Sequence, residues 1–231
     1  MGTALGGLRI LDLSRILLGP YATMILADLG ADVIKIEMPL KGDDARHFGP
    51  YVNDESIYFM SVNRNKRSMT LNLKMEAGKK LFLELVKKVD VLVENFRPGT
   101  MDKLGLGYDV LKELNPQLIY AAASGFGQTG PYSKRPAYDA VVQAMGGLMS
   151  ITSSQADGDP TRTGASLGDI SAGMFTAIGI LAALASRAQT GLGQMVDVGM
   201  LDCQVALVEN ALIRYGVTGE VPRPVGNRHP L

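Results

Sequence analysis

At 231 residues, 46% of them apolar, the chain has room for one large domain or two small ones and enough apolar surface for a sizeable core, which argues against a disordered segment. Its 23 Lys and Arg balance 23 Asp and Glu, so no overall field draws it to nucleic acid or an anionic membrane, and an anionic ligand has to be held by a local cluster. The single cysteine, Cys203, excludes a disulfide framework and a cysteine-based zinc site and fits a reducing, cytoplasmic compartment.

The opening MGTALGGLRILDLS lacks the apolar run of a signal peptide, Arg9 interrupting it, so the mature chain is expected to start here. Leu8–Leu13 reads as a strand, Pro20–Leu29 as a helix with proline in its first turn, and Asp32–Glu37 as a second strand, which together make a βαβ unit. The alternation continues with a strand at Ser68–Leu73 and a helix at Glu76–Val89, on which Leu81, Leu85 and Val89 lie four apart. Strands at Asp90–Glu94 and Leu118–Ala123 follow. Short crossovers of this kind imply an α/β fold, a doubly wound, mostly parallel Rossmann-like sheet with helices on both faces.

In the second half Tyr138–Met149 and Asp169–Ala188 read as helices rich in Ala and Gly, separated by a polar turn region at Ala156–Thr163. Met174–Ala185, the most apolar stretch, is too short and too rich in small residues for a bilayer span and reads as a core helix. Gln194–Gly199 is a last strand, Met200–Tyr215 one more helix, and Gly216–Leu231 an aperiodic, proline-bearing loop. Residues 1–199 are thus expected to form the α/β domain, and 200–231 a helix and the start of a linker.

Metal and triad chemistry have little support: His47 and His229 are the only histidines and neither stands in a ligand spacing, while Ser124 in AASGFG lacks the first glycine of a nucleophile elbow. A nicotinamide enzyme is weakened by the turn SRILLGPYA, which has no GxGxxG; Glu37 reads as a ribose contact or as a solvated strand end. Basic residues gather in Arg64-Asn65-Lys66-Arg67, with Lys74, Arg97 and Lys103 after later elements. They suit a polyphosphate in a crevice at the strand ends, or are scattered solvated charges. Without Trp or repeated aromatic–basic interleaving, single-stranded nucleic acid is poorly supported. Asp169 stands out in ASLGDISAGMF as a carboxylate between Gly168 and small residues. There it is either an ordinary helix N-cap or a group held for chemistry beside backbone N–H donors.

Seven segments in order, GLRILDLSRILLGPYATMILADLGADVIKIE, NRNKRSMTLNLK, VLVENFRPGTMDKLGLGYD, PAYDAVVQAMGG, GDISAGMFTAIGILAAL, TGLGQMVDVGMLD and GNRHP, resemble the class III CoA-transferases. This is the family of formyl-CoA, succinyl-CoA and carnitine CoA-transferases, with α-methylacyl-CoA racemase as a branch. The resemblance implies that Asp169 is a nucleophile forming an aspartyl-CoA thioester, and that its small neighbours leave room for that adduct. It also implies that Ile16, Leu17, Leu71, Asn72, Leu73, Lys74, Asn95, Phe96, Arg97, Lys103, Tyr138, Asp139 and Met200 hold CoA, a substrate here and not a tightly bound cofactor, with no metal. The partners implied are an acyl-CoA, perhaps succinyl-CoA, and a small carboxylic acid, with no nucleic acid and no membrane.

Departures from the family pattern narrow the expectation. Leu17 stands where formyl-CoA transferase has glutamine, Met38 where it has arginine and Pro136-Ala137 where it has lysine, which disfavours oxalate and formyl-CoA. Tyr138 occupies the place of the racemase's histidine base, and with a reference pKa of about 10 it disfavours racemisation. Family members continue for about as many residues again, with a smaller second domain and a return helix that interlocks two subunits. A racemase-like enzyme, or a CoA-binding part with no turnover alone, therefore stay open as alternatives.

Overall fold

The computed structural model describes residues 2–229, so the expectations for Met1, Pro230 and Leu231 lie outside the described residues. Its main sheet contains β1 (Arg9–Asp12), β2 (Asp32–Glu37), β5 (Lys66–Thr70), β6 (Val91–Glu94), β7 (Ile119–Ser124) and β8 (Met195–Gly199). All neighbours pair in parallel, in the order β5-β2-β1-β6-β7-β8. Counted among themselves these strands run 3-2-1-4-5-6, the doubly wound order in which the chain reverses direction between β1 and β6.

Period-two alternation on the central strands supplies two apolar faces. Leu11, Leu92, Tyr120 and Ala122 point to one side, where α3 (Glu76–Val86), α4 (Thr100–Lys103) and α5 (Tyr108–Leu114) bring Phe82, Val86, Met101 and Leu111. Ile10, Val33, Val91, Val93, Ile119 and Ala121 point to the other, covered by α1 (Leu18–Asp28) and α7 (Leu167–Thr190) through Leu26, Ala177, Ile180 and Ala183. β3 (Tyr51–Val52) and β4 (Glu55–Ser56) form an antiparallel hairpin leading into α2 (Ile57–Asn63), whose Phe59 N–H donates to the capping Ser56 hydroxyl at 3.1 Å. α6 (Asp139–Met145), α8 (Met200–Leu207) and α9 (Glu209–Thr218) complete the chain.

Several boundaries differ from the sequence expectation. The third strand of the sheet lies at Lys66–Thr70 and not 68–73, because its charged residues are not loop charges: Lys66 is buried while Arg67 pairs with Asp32 at 2.7 Å. The helix expected at 200–215 is two, divided at Val208, whose φ of −104° and ψ of 24° leave helical geometry. The core-helix segment 174–185 belongs to a helix of 24 residues, long and apolar enough by composition to cross a membrane, yet its Ala172, Thr176, Ile180 and Ala183 face is packed into the protein.

α7 sits unusually close to α1. A Cβ on Gly173 would lie 2.8 Å from the Leu18 carbonyl oxygen, and on Gly168 2.6 Å from Val142 Cγ2. Gly168, Ala172 and Gly173 therefore serve close helix packing on the faces they turn inward, and Ala172 is itself fully buried.

Candidate active site

A cleft of about 680 Å³ opens at the carboxyl ends of β5, β2, β1 and β6, the switch point where doubly wound sheets hold ligands. Of the residues expected to hold CoA, Leu71, Asn72, Leu73, Lys74, Phe96 and Lys103 line it, together with Arg15, Lys35, Glu37, Met38 and Asp43. Arg15 lies over the Phe96 ring, 5.4 Å from its centroid. Lys74 and Lys103 are exposed at its rim, where two ammonium groups suit a phosphorylated ligand.

The floor of the cleft is a buried charge network. Lys35, 1% exposed, pairs with Asp43 at 2.8 Å and donates to the Ser14 carbonyl at 2.8 Å. Asp12 accepts from Ser14, from Thr23 at 2.6 Å and from Lys66 at 3.0 Å. Burial alone would raise the Asp12 carboxyl, but Lys66 and Lys35 with the two hydroxyls hold it well below the usual range, while burial lowers Lys66 to about 8. Glu37 is neither a ribose contact nor a solvated end. It is 5% exposed and bound by Arg46 at 2.8 Å through both oxygens, by Ser68 and by the Asp43 N–H, which against the cost of burial bring it to about 2. The basic run 64–67 is likewise spent: Arg64 and Asn65 bind Asp28, Lys66 binds Asp12 and Arg67 binds Asp32.

The turn after β1 joins the cleft to α7. Asn95 accepts from the Arg15 N–H and donates to the Arg15 carbonyl, both at 2.8 Å, so its side chain clamps this turn and is not turned to a ligand. Ile16, at φ 70°, holds a left-handed backbone that costs a β-branched residue about 1–2 kcal/mol, and its N–H donates to Asp43 Oδ1 at 3.1 Å. Leu17 follows at the start of α1, its carbonyl accepting from the Tyr21 N–H at 2.7 Å.

Asp169 is the third residue of α7, three positions past the cap, and Ser166 holds the cap position without a side-chain bond. That corrects the cap reading. Its carboxylate is half-buried and accepts no hydrogen bond among the described residues. Burial, then the neighbouring Asp139, push it up to about 6. Most first-turn donors are already used, Leu167 N–H by the Ala165 carbonyl, Gly168 N–H by Asp139 and Ile170 N–H by the Ser166 carbonyl. The Asp169 N–H is left without a protein acceptor among the described residues.

Tyr58 on α2, which the sequence reading missed, feels the charge both of this carboxylate and of Asp43 in the cleft. Burial, then Asp169, Asp43 and Asp139 in turn, raise its hydroxyl, and Asp43 is a cleft residue. Phe48 packs edge-on to the Tyr58 ring at 5.5 Å. Among the remaining expected contacts, Tyr138 is exposed at the start of α6 and Arg97 is exposed outside the cleft lining. Met200 is 5% exposed and packs with Leu18, Val142 and Ala172, so it is a core residue and no cleft contact.

A sequence model of CoA-transferase family III matches residues 5–231. The acetyl-CoA:oxalate CoA-transferase of Acetobacter aceti is 53% identical over 97% of this chain and 58% of that enzyme. The succinyl-CoA:mesaconate CoA-transferase of Haloarcula marismortui is 48% identical over 98% of the chain and 59% of its own length, and the mouse succinyl-CoA:glutarate CoA-transferase 46% identical over 97% and 52%. A crystal structure of a CAIB/BAIF family protein from Brucella suis superposes with a TM-score of 0.94 at 44% identity, over all of this chain and 62% of that one. The chain spans a little over half the length of these relatives.

Proposed function

The chain belongs to CoA-transferase family III, and on that premise we propose that it forms the CoA-binding and nucleophile-bearing part of an enzyme that moves CoA from an acyl-CoA to a small dicarboxylic acid. The relatives named above act, by their names, on oxalate, mesaconate and glutarate, all dicarboxylic acids. The expectation against oxalate gains no support from them, since the relative named for oxalate is 53% identical.

One observation carries the chemistry: Asp169 is a half-buried carboxylate with neither a hydrogen-bond donor nor a cation acting on it among the described residues, and its value of about 6 leaves it ionised at neutral pH. An anion so placed retains its nucleophilicity. In the proposed sequence Asp169 Oδ attacks the thioester carbonyl, the C–S bond breaks, and a mixed anhydride and CoA thiolate form. The thiolate then attacks the aspartyl carbonyl, releasing the donor acid and leaving an aspartyl-CoA thioester. The acceptor carboxylate attacks that thioester, and the thiolate freed in the process takes the acceptor acyl group, restoring Asp169. The cleft holds the nucleotide end, with Lys74 and Lys103 on its phosphates.

Intact-mass analysis after incubation with succinyl-CoA and acetyl-CoA, followed by peptide mapping, tests this. A CoA or acyl adduct on the peptide containing Asp169, lost in Asp169→Ala while CoA binding persists, is the expected result. An adduct that persists in Asp169→Ala, or that maps elsewhere, refutes the assignment.

A further inference from the structure

Asp139 was expected to contact the ligand, but both its carboxylate oxygens already have protein partners. Oδ1 accepts from the Gly168 N–H at 2.8 Å, and Oδ2 accepts from Gln143 Nε2 at 2.8 Å. Gln143 is fully buried, and its amide orientation is fixed from both ends. Its Oε1 accepts from the Thr163 N–H at 3.0 Å, and its Nε2 also reaches the Ala165 carbonyl at 3.4 Å. One side chain thus ties α6 to the segment that leads into α7. From the other side Gln204 on α8 donates to the Leu167 carbonyl and lies within bonding distance of the Ser171 hydroxyl, both at 3.1 Å.

We propose that Gln143 is a positioning residue for Asp169, acting through Asp139: its amide holds the Asp139 carboxylate on the first turn of α7, so that a second carboxylate stays beside the nucleophile. This rests on the reading of Asp169 as nucleophile for its catalytic meaning, and on the geometry alone for the positioning. A fixed negative neighbour favours the proton-bound form of Asp169 and makes its anion more basic. Asp139 from α6 acts on Asp169, and Asp169 in turn acts on Tyr58 from α2. Tyr21 of α1 lies against Gly173 one turn further on, and on α8 burial and then Asp202 raise the Cys203 thiol. Among the described residues no cation acts on Asp169.

The test is a carboxyl-carbon NMR titration of the aspartate-labelled chain, the Asp169 signal being assigned with Asp169→Asn. Gln143→Met lets Asp139 leave the helix or take up a proton. The Asp169 midpoint is expected to fall by roughly half a pH unit or more. In an Asp139→Asn background, where the midpoint is already lowered, the same substitution leaves it unmoved. A lowered melting temperature with an unmoved midpoint when Gln143→Met is made in the parent chain overturns the proposal, as does an equal shift in both backgrounds. Should Gln143→Met fail to fold, Asp139→Asn alone decides, since its amide oxygen still accepts from Gly168: an unmoved midpoint refutes the coupling. No acyl-CoA enters this measurement, so a failed adduct test and a failed titration are separate results.

Discussion

Replacing Glu94 by Gln tests the electrostatics of the sheet's centre. Glu94 ends β6 at 4% exposure, accepting from the Phe96 N–H at 2.7 Å and from the Tyr120 hydroxyl at 3.3 Å. Burial outweighs both bonds and raises it from 4.5 to about 7, and the same burial, with Glu94 beside it, raises Tyr120. A carboxyl whose folded value lies above its unfolded value carries no penalty at low pH, where both states hold the proton. Stability is then lost as pH rises from 4.5 towards 7, because only the unfolded chain ionises freely. Above that window the penalty is complete, and a shift of this size is worth about 3 kcal/mol. Glutamine keeps the acceptor for Phe96 and cannot ionise. Urea unfolding of parent and Glu94→Gln should therefore give nearly equal stability near pH 4.5 and a variant more stable by about 2–3 kcal/mol at pH 8. A difference that does not change with pH would refute the reasoning.

Lys35→Met leaves Asp43 buried without its cation and should cost about 3–5 kcal/mol in urea unfolding. Lys35→Met with Asp43→Leu should cost clearly less than the sum of the single changes, and additivity would show that the pair is not coupled. Lys74→Ala and Lys103→Ala should each weaken CoA binding severalfold in calorimetry at low salt, with the difference shrinking at high salt. A loss equal at both salt concentrations would remove the phosphate assignment.

The central strands β1, β6 and β7 were legible because they are short apolar runs, and β2 falls at the expected residues 32–37. The arm from residue 39 to 63 was not, since its Gly, Pro and Asp resemble loop residues, its hairpin pairs only two residues per strand, and α2 spans barely two turns. Tyr58 was hidden with it. The only sequence signal for α2 was Ser56 ahead of Ile57-Tyr58-Phe59, a cap before an apolar run. Small neighbours and the family resemblance singled out Asp169, but the use of Asp139 on Gly168 depends on two helices meeting across 29 residues of chain, which no local pattern encodes. The charges at 64–67 misled in the opposite direction, because their partners Asp12, Asp28 and Asp32 lie on other elements.

The strand order also fixes a timetable for synthesis. β5, β2 and β1 can pair once residue 70 has been made, but β1 finds β6 only after residue 94 and β7 finds β8 only after residue 199. α7, which covers Ile10, Val33, Val91 and Val93, is complete only at residue 190. Until residue 190 has been made, therefore, an apolar sheet face is shielded by α1 alone, and a chain with such distant parallel pairings folds slowly while that face remains open to capture by chaperones or by other nascent chains.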